Sequence, residues 1–594
     1  MSRRRRRPRP SRFRTARFWV PTALGAILVG LVVFGTVLAL DAYSVRGDIE
    51  DSRATVAQLQ VAAVQRDLAG LPALGDDLAA SATRAVERTE SPLWRAGEFV
   101  PVLGENLRAV RFVAESIDGL SRELVSPAVE LASTFTLARD PATGAFDTTP
   151  VSTARDILAA AKQNVSDAAA ELDGVNTDLT LQPVGEAVDE YAGVLDDMGR
   201  MLDQSEGGIS ALGALLGIDG PATIVLAFLN NAELAALGGG PAAQLLLTVD
   251  SGRVQVVEQV SSWDFAEGAP APVEVDESAR LLYDEIFTTH INAAFSRPDL
   301  PTAARILDAQ WQRIRGVQLD GIISLDPIAL AMILQATGPV AVSSGEVLDS
   351  SNAVSMLLNE SYLRYDGLTE ADAFFERAAS AVFDRAMAAD YDVWAMADAL
   401  VRAADNGSLM VWSSDPETEA FTAGTRLQGT LPTTNDPETV LGVYFRDRSS
   451  SKVDFYLHAD TVVTTNTCDP DAPTYTVETR IWFDFPPGIE LPEFVEGELY
   501  DFYRTEVFAY GPVGGTLTES AVPEAGTATA TGPIVDDLGR PVVKFTVDLV
   551  RGQTGVVRAA FAGVPGEGDY GPTLVRSTPM INPNAVTMQD APCG

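Results

Sequence analysis

Apolar positions recur at two different periods along this chain, and each period belongs to a different stretch. Leu103, Leu107, Val110, Ala114, Ile117 and Leu124 step by threes and fours, with Ser121 completing the series, which is the stripe of an amphipathic helix. Further helical stretches at 151–176 and 183–203, separated by the loop signals Arg139-Asp-Pro-Ala-Thr-Gly144 and Asp147-Thr-Thr-Pro150, predict a helical bundle or stalk over 41–212. From 213 to 432 short apolar runs alternate with helical patterns. Thr223-Ile-Val-Leu-Ala-Phe-Leu229 and Gln244-Leu-Leu-Leu-Thr-Val249 read as buried strands, and Asp250-Ser-Gly252 turns the second into Arg253-Val-Gln-Val-Val-Glu-Gln-Val260 as a hairpin. Strand Gly321-Ile-Ile-Ser-Leu325 leads to Asp326, a cap for a helix beginning at Pro327 and stopping at Gly338-Pro339. Strand, helix and strand in succession predict a central α/β domain with a mixed sheet. Over 433–594 the period becomes two: Tyr475, Val477, Ile481, Phe483 and Phe485 alternate with polar neighbours. With Val440 to Phe445, Val453 to His458, Val542 to Val550 and Val556 to Phe561 as further strands, this part reads as a C-terminal β-sandwich.

The N-terminus differs from all of this. Residues 1–17 hold nine arginines and no acid, and residues 18–40 hold no charge at all. About 20 residues of helix suffice to cross a bilayer, so 18–40 is expected to be a retained single-pass transmembrane helix with aromatic residues Phe18 and Trp19 at its border. Its basic flank places 1–17 in the cytoplasm and 41–594 outside it, a cell-membrane location. In an oxidising compartment the two cysteines, Cys468 and Cys593, are expected to form a disulfide, the other reading being two free thiols.

Composition narrows the chemistry. The chain has 594 residues, enough for several domains, with 82 Asp and Glu against 43 Lys and Arg, a formal charge of −39. That balance excludes nucleic acid as the partner of the main body. Two histidines and two cysteines are too few for a structural zinc site or an iron–sulfur cluster. No phosphate loop, His-Glu-x-x-His, nucleophile elbow or calcium loop is present. His290 and His458 have no nucleophile placed beside them in sequence, and a lone histidine is more often structural. Gly238, Gly239 and Gly240, followed by Pro241, form the one dense glycine cluster between strands, a candidate phosphate cradle or simply a turn.

Several blocks resemble a known family. Phe228-Leu-Asn-Asn-Ala-Glu-Leu234 with Gly238-Gly239, Leu247-Thr-Val-Asp-Ser-Gly-Arg253, Asp299-Leu-Pro-Thr-Ala-Ala304, Asp320-Gly-Ile-Ile-Ser-Leu-Asp-Pro327 and Ala336-Thr-Gly-Pro-Val340 are similar to the signature of domain-of-unknown-function family number four thousand and twelve, found in single-pass envelope proteins of Gram-positive bacteria. Ala235-Ala-Leu237 stands where that pattern has an Arg-Pro-Thr/Ser. The order of elements also resembles, more remotely, the LytR-CpsA-Psr family, which transfers lipid-linked glycopolymers to the cell wall and holds a polyprenyl pyrophosphate with arginines and an Asp-borne Mg²⁺. On that pattern Ser262-Trp263-Asp264 replaces Pro-Arg-Asp, Asn292 matches the family's Asn, and Arg297 is a nearby basic residue. Ala242, Ala243 and Gln244 stand where a second metal-binding Asp is expected.

These resemblances imply a membrane-anchored extracytoplasmic protein with a binding or scaffolding role in cell-envelope or surface-polymer assembly, working without a cofactor. The alternative is a divergent polyprenyl-pyrophosphate-dependent glycopolymer transferase, with Asp264 carrying Mg²⁺ and Asp264, Asn292 and Arg297 as its site. Loss of an arginine and a metal ligand weighs against it, because phosphoryl transfer depends on charge stabilisation. The implied partners are the membrane through 18–40 and an envelope polymer, polyprenyl lipid or envelope protein.

Overall fold

In a computed structural model of the chain, residues 16–65, 67, 69–101, 103–265, 270–342, 345–449, 451–466, 468–469, 473–497, 502–526, 528–564 and 570–591 are described, without the side chains of 16–32, 63–64, 178 and 528–530. They group into two compact units. One comprises the chain up to Thr136 with Thr149–Ile209, and the other Leu137–Thr148 with Ser210–Gly594.

The first unit is helical: α1 (Ala16–Gln65), α2 (Leu71–Thr89), α3 (Pro92–Gly97), α4 (Leu103–Leu120), α5 (Ser126–Thr134), α6 (Thr149–Leu172) and the greater part of α7 (Gln182–Leu215). Helix α4 lies between two cores. Leu107 and Ala114 pack with Leu38, Val45, Ala85 and Trp94, while Ala109 and Leu120 pack with Ala161, Val165, Leu195 and Leu202. The expected stripe is therefore only one of two buried faces, and its first member, Leu103, is exposed. Trp94 is fully buried and donates its indole N–H to the Leu107 carbonyl at 3.0 Å, which satisfies its one polar atom.

The expected membrane span is corrected here. Among the described residues no helix is long and apolar enough to cross a membrane. Most of 18–40 lies where side chains are not described. In the described remainder of α1, Phe34 and Leu38 pack toward Trp94 and Leu107, and charge returns at Asp41, Arg46 and Asp48. Those turns of the apolar run thus belong to a helix–helix core, a use that hydropathy cannot tell from a bilayer.

The second unit begins with a five-stranded mixed sheet of β1 (Ala222–Asn230), β2 (Gly240–Asp250), β3 (Arg253–Ser261), β4 (Gly321–Leu325) and β7 (Leu409–Ser413), in the order β3-β2-β1-β4-β7. Only β1 and β4 are parallel. Side chains alternate across a strand. Ile224, Leu226 and Phe228 accordingly face one core, with Leu330 and Leu334 of helix Pro327–Thr337, while Val225 and Ala227 face another, with Leu307 and Trp311 of helix Leu300–Arg315. Cover on both faces explains why β1 is an unbroken apolar run. A short ribbon, β5 (Val340–Ala341) with β6 (Val347–Leu348), follows that first helix.

Two more five-stranded sheets make the sandwich. One orders β12 (Thr516–Ala525), β15 (Thr554–Ala562), β10 (Thr474–Phe483), β9 (Leu457–Asn466) and β17 (Ala585–Asp590). The other orders β13 (Ala528–Asp537), β14 (Arg540–Leu549), β11 (Tyr503–Tyr510), β8 (Thr439–Asp447) and β16 (Thr573–Ser577). Tyr475, Val477, Ile481 and Phe483 point into the core with Val507, Phe545 and Val547.

Two further expectations change. Val453–Tyr456 is not strand: Asp454 opens a 3-10 turn there, buried and bonded to other elements, and β9 starts at Leu457. For the expected disulfide, Cys593 lies outside the described residues, no disulfide is found among them, and no described cysteine is free. The described end of the chain is held by strand pairing, β17 running parallel to β9 with the Ala591 N–H donating to the Thr465 carbonyl at 2.7 Å.

Candidate functional site

Arg297 follows a 3-10 turn, Asn292–Ser296, and its side chain is only 2% exposed. A buried guanidinium must find acceptors for its five N–H groups. Asp537, wholly buried at the end of β13, accepts Nη2 at 2.6 Å and Nε at 3.2 Å; Asp299 accepts Nη1 at 3.2 Å; Asp276 accepts Nη2 at 2.7 Å. Burial alone would lower the Arg297 pKa, but Asp537 and then Asp299 and Asp276 outweigh it and raise it. Asp537 also accepts Ser278 Oγ at 2.7 Å and the Tyr510 hydroxyl at 3.0 Å, and Tyr510 shares a 2.6 Å hydrogen bond with Tyr283. Arg297 therefore clamps the α/β part to the sandwich.

Asp264 is elsewhere in its bonding. It is the third residue of a 3-10 turn capped by Ser261, and its Oδ2 accepts the Ser261 N–H at 2.8 Å and the Ser261 hydroxyl at 3.2 Å, a reciprocal capping box. Its Oδ1 stands 3.7 Å from Arg315. Trp263, mostly exposed, donates to Asp372 at 3.1 Å, whose pKa burial raises to about 6. Among the described residues no group of three His, Cys, Asp or Glu side chains is placed to hold a metal. The donor set around Asp264 thus does not fit Mg²⁺: one carboxylate oxygen caps a turn and the other faces a cation. Asn292 is half-buried, its Oδ1 is out of solvent and unpaired, and a Cβ on Gly240 would lie 2.5 Å from its Cβ.

The glycines serve close packing of the chain on itself. A Cβ at Gly239 would lie 2.2 Å from the Asn230 carbonyl oxygen, and Gly238, at φ +111°, lies against Pro579, Asn231 and Asp326. All three glycines are buried. Asn231 donates to Asp326 at 2.9 Å and to the Pro579 carbonyl at 3.0 Å, and Asn230 donates to Tyr362 at 2.9 Å. Asp326 also caps its helix, accepting Ile328 N at 3.0 Å and Ala329 N at 2.9 Å; burial raises its pKa to about 6 against those bonds. The same segment reaches the sandwich through Leu234, whose N–H donates to Asp454 at 2.6 Å and whose carbonyl accepts Asp447 N at 2.8 Å. Burial pushes Asp447 up to about 7, and raises Asp454 well above the carboxylate range with Asp447 adding to it. The Asn-Asn-Ala-Glu block, read from sequence beside a phosphate cradle, is the joint between sheet and sandwich.

The two histidines have structural settings. His290 Nδ1 is 2.9 Å from Thr289 Oγ1, and the His458 ring stacks on Trp482 with centroids 5.2 Å apart. Sequence reasoning missed Asp537, Asp447 and Asp454, because each matters through a partner more than 200 residues away for the first and last. It also missed a basic group, Arg426 and Arg576, for which a signal existed: neither has an acid within four residues in a chain of net charge −39.

Against this geometry, the family model described as protein of unknown function (DUF4012) matches residues 219–362, the stretch that holds the quoted blocks. No curated protein matches the chain. Among solved structures, protein gbs0355 of Streptococcus agalactiae is 12% identical, covering 36% of this chain and 75% of its own, with a TM-score of 0.23. Lin1025 of Listeria innocua is 16% identical over 36% and 80%, with a TM-score of 0.20, and B. subtilis TagV 16% identical over 35% and 78%, with a TM-score of 0.20. Superpositions this loose carry no argument about this chain.

Proposed function

We propose that the chain is a binding or scaffolding protein of the cell envelope, acting in surface-polymer assembly without transferring the polymer itself. The observation that carries this reading is Arg297, whose guanidinium is spent on three carboxylates inside the protein and has no charge left for a pyrophosphate. Asp264 supports it, being engaged as a capping residue. The envelope and polymer part of the reading rests on the family resemblance of the blocks within 219–362.

The test is binding of a polyprenyl pyrophosphate to the purified chain with and without Mg²⁺. No metal-dependent affinity is expected, and Asp264→Ala should change stability alone. Tight Mg²⁺-dependent binding that disappears in Asp264→Ala would replace this reading with that of a divergent glycopolymer transferase. One observation favours that second reading: the buried Asn292 Oδ1, at the family's Asn position, has no hydrogen-bond donor.

A further inference from the structure

Within the second unit, a small solvent-open hollow of about 30 Å³ is walled by Ala236, Leu237, Met410 and Tyr444, with Arg426 and Arg576 at its sides. Its residues come from distant parts of the chain: the segment before the glycines, β7, the turn Arg426–Gln428, β8 and β16. Three features set it apart from every other basic group described above.

The first is that its arginines have no acid. Arg576 donates Nη1 to the Thr430 carbonyl at 2.6 Å and Nη2 to the Gly424 carbonyl at 2.9 Å, and Arg426 donates one bond, to the Asn406 carbonyl at 3.2 Å. Neither makes an ion pair with a described carboxylate, and both keep N–H groups unused. Arg540, fully buried behind them, donates to the carbonyls of Val440, Gly511 and Pro432 and leaves its Nε without a partner. The second feature is Tyr444, on the hollow's wall and only 6% exposed, whose hydroxyl bonds to no described residue. The third is mutual repulsion. Burial lowers the Arg576 pKa most, Arg426 adding to it against the opposite pull of Tyr444 and the exposed Glu438; burial likewise lowers that of Arg540 to about 10, with Arg576 adding to it against Tyr444. Gathering like charges beside an unpaired hydroxyl is unfavourable unless an anion completes the group.

We propose that this hollow is a binding site for a phosphate oxyanion, either free phosphate or a phosphate ester carried by a polymer. Two guanidinium groups and a phenol reach the hollow from three separate elements. A tetrahedral oxyanion accepts hydrogen bonds from directions that do not share a plane, whereas the acceptor sites of a carboxylate lie in one plane. The apolar wall of Ala236, Leu237 and Met410 limits competing water. In a chain of net charge −39 such a locally basic hollow also concentrates anions that the rest of the surface repels. The proposal does not depend on the scaffolding reading, since none of Asp264, Asn292 or Arg297 lines the hollow.

The test follows the melting temperature of the full chain during titration with inorganic phosphate, with dimethyl phosphate as the diester probe, and with chloride at matched ionic strength. A saturable rise with phosphate but not chloride is expected. A rise with dimethyl phosphate as well assigns the site to a phosphodiester, and a rise with phosphate alone assigns it to free phosphate or a monoester. Arg426→Gln, which removes one hydrogen bond to protein, should weaken binding at least tenfold, and Arg576→Gln likewise; Arg558→Gln, at a surface pair with Glu478, should leave it unchanged. No saturable rise in the unmodified chain, an equal rise with chloride, or full binding retained in Arg426→Gln would overturn the proposal, whatever the stability of the Arg576 variant.

Discussion

Arg297 and the pair Arg426–Arg576 are the same side chain in opposite settings. Around Arg297 the fold supplies three carboxylates, one of them buried completely, and the charge is used up in joining two parts of one unit. Around Arg426 and Arg576 it supplies backbone carbonyls, a tyrosine hydroxyl and one another. The residue that sequence places at a reaction centre is held in internal ion pairs, and the residues that sequence passes over face an open hollow. What separates the two is not the charge but whether the protein itself satisfies it. A second buried hub extends the first: Arg446, over the ring of Tyr283, pairs with Glu506, which Lys544 also approaches at 3.2 Å.

The comparison is most exposed at Arg297. Arg297→Met leaves Asp537 buried with two hydroxyl donors and no cation, and breaking such a pair costs about 3–5 kcal/mol. Chemical denaturation should register that loss in the second unit. Arg426→Gln, by contrast, removes a cation that has no acid, and its cost without added anion should stay within about 1 kcal/mol. Equal costs for the two variants would erase the distinction.

The acids at the joint give a smaller effect with a definite sign. Burial raises Asp447 to about 7 and Asp326 to about 6, and raises Asp454 as well. In the unfolded chain these groups titrate near 4. Between those values the folded state holds protons that the unfolded state has released, so stability is fully present below pH 4 for these groups and is lost as pH rises through 6 to 7. Lowering the pH from 7.5 to 5.5 should therefore raise the melting temperature by several degrees, and Asp447→Asn should flatten the slope. A melting temperature that falls on the same change would show that the joint is held by ionised carboxylates, as Arg297 is.

Local signals survived the passage from sequence to structure. The turn at Asp250-Ser-Gly252 was legible because Ser251 and Gly252, at φ 50° and 80°, make the left-handed pair that a tight hairpin requires. The Asp326 cap and the alternation of β10 were legible for the same reason: partner and signal lie within a few residues. What depends on distant contacts was not. Loop Leu137–Thr148 read as a link between helices, yet it belongs to the second unit, Phe146 donating to the Gly252 carbonyl at 2.8 Å. Asp454 interrupts an expected strand because Leu234 and Tyr503 bond to it. The described turns of the apolar N-terminal run pack against Trp94, 56 residues from Leu38, which hydropathy does not record. No spacing links Arg426, Tyr444 and Arg576, and only their gathering makes a hollow.

The smallest effect concerns Asp264, the residue on which the transferase alternative depends. Its carboxylate closes a capping box with Ser261 on a three-residue turn, and a lost cap costs about 0.5–2 kcal/mol in general. The turn is short, Asp264 is partly exposed, and Arg315 at 3.7 Å adds little in solvent, so Asp264→Ala belongs at the low end of that range. Asp264→Asn separates the two roles. An amide oxygen still accepts the Ser261 N–H, so a capping residue loses almost nothing on this change, and the melting temperature of Asp264→Asn should stay near that of the unmodified chain while that of Asp264→Ala falls slightly. A metal-bearing carboxylate behaves otherwise, because the amide lacks the charge that holds a hard cation. Magnesium should therefore leave the melting temperatures of the unmodified chain and of Asp264→Asn equally unmoved. A magnesium-dependent rise in the unmodified chain that vanishes in Asp264→Asn would move Asp264 from the structural side of the comparison to the ligand-binding side.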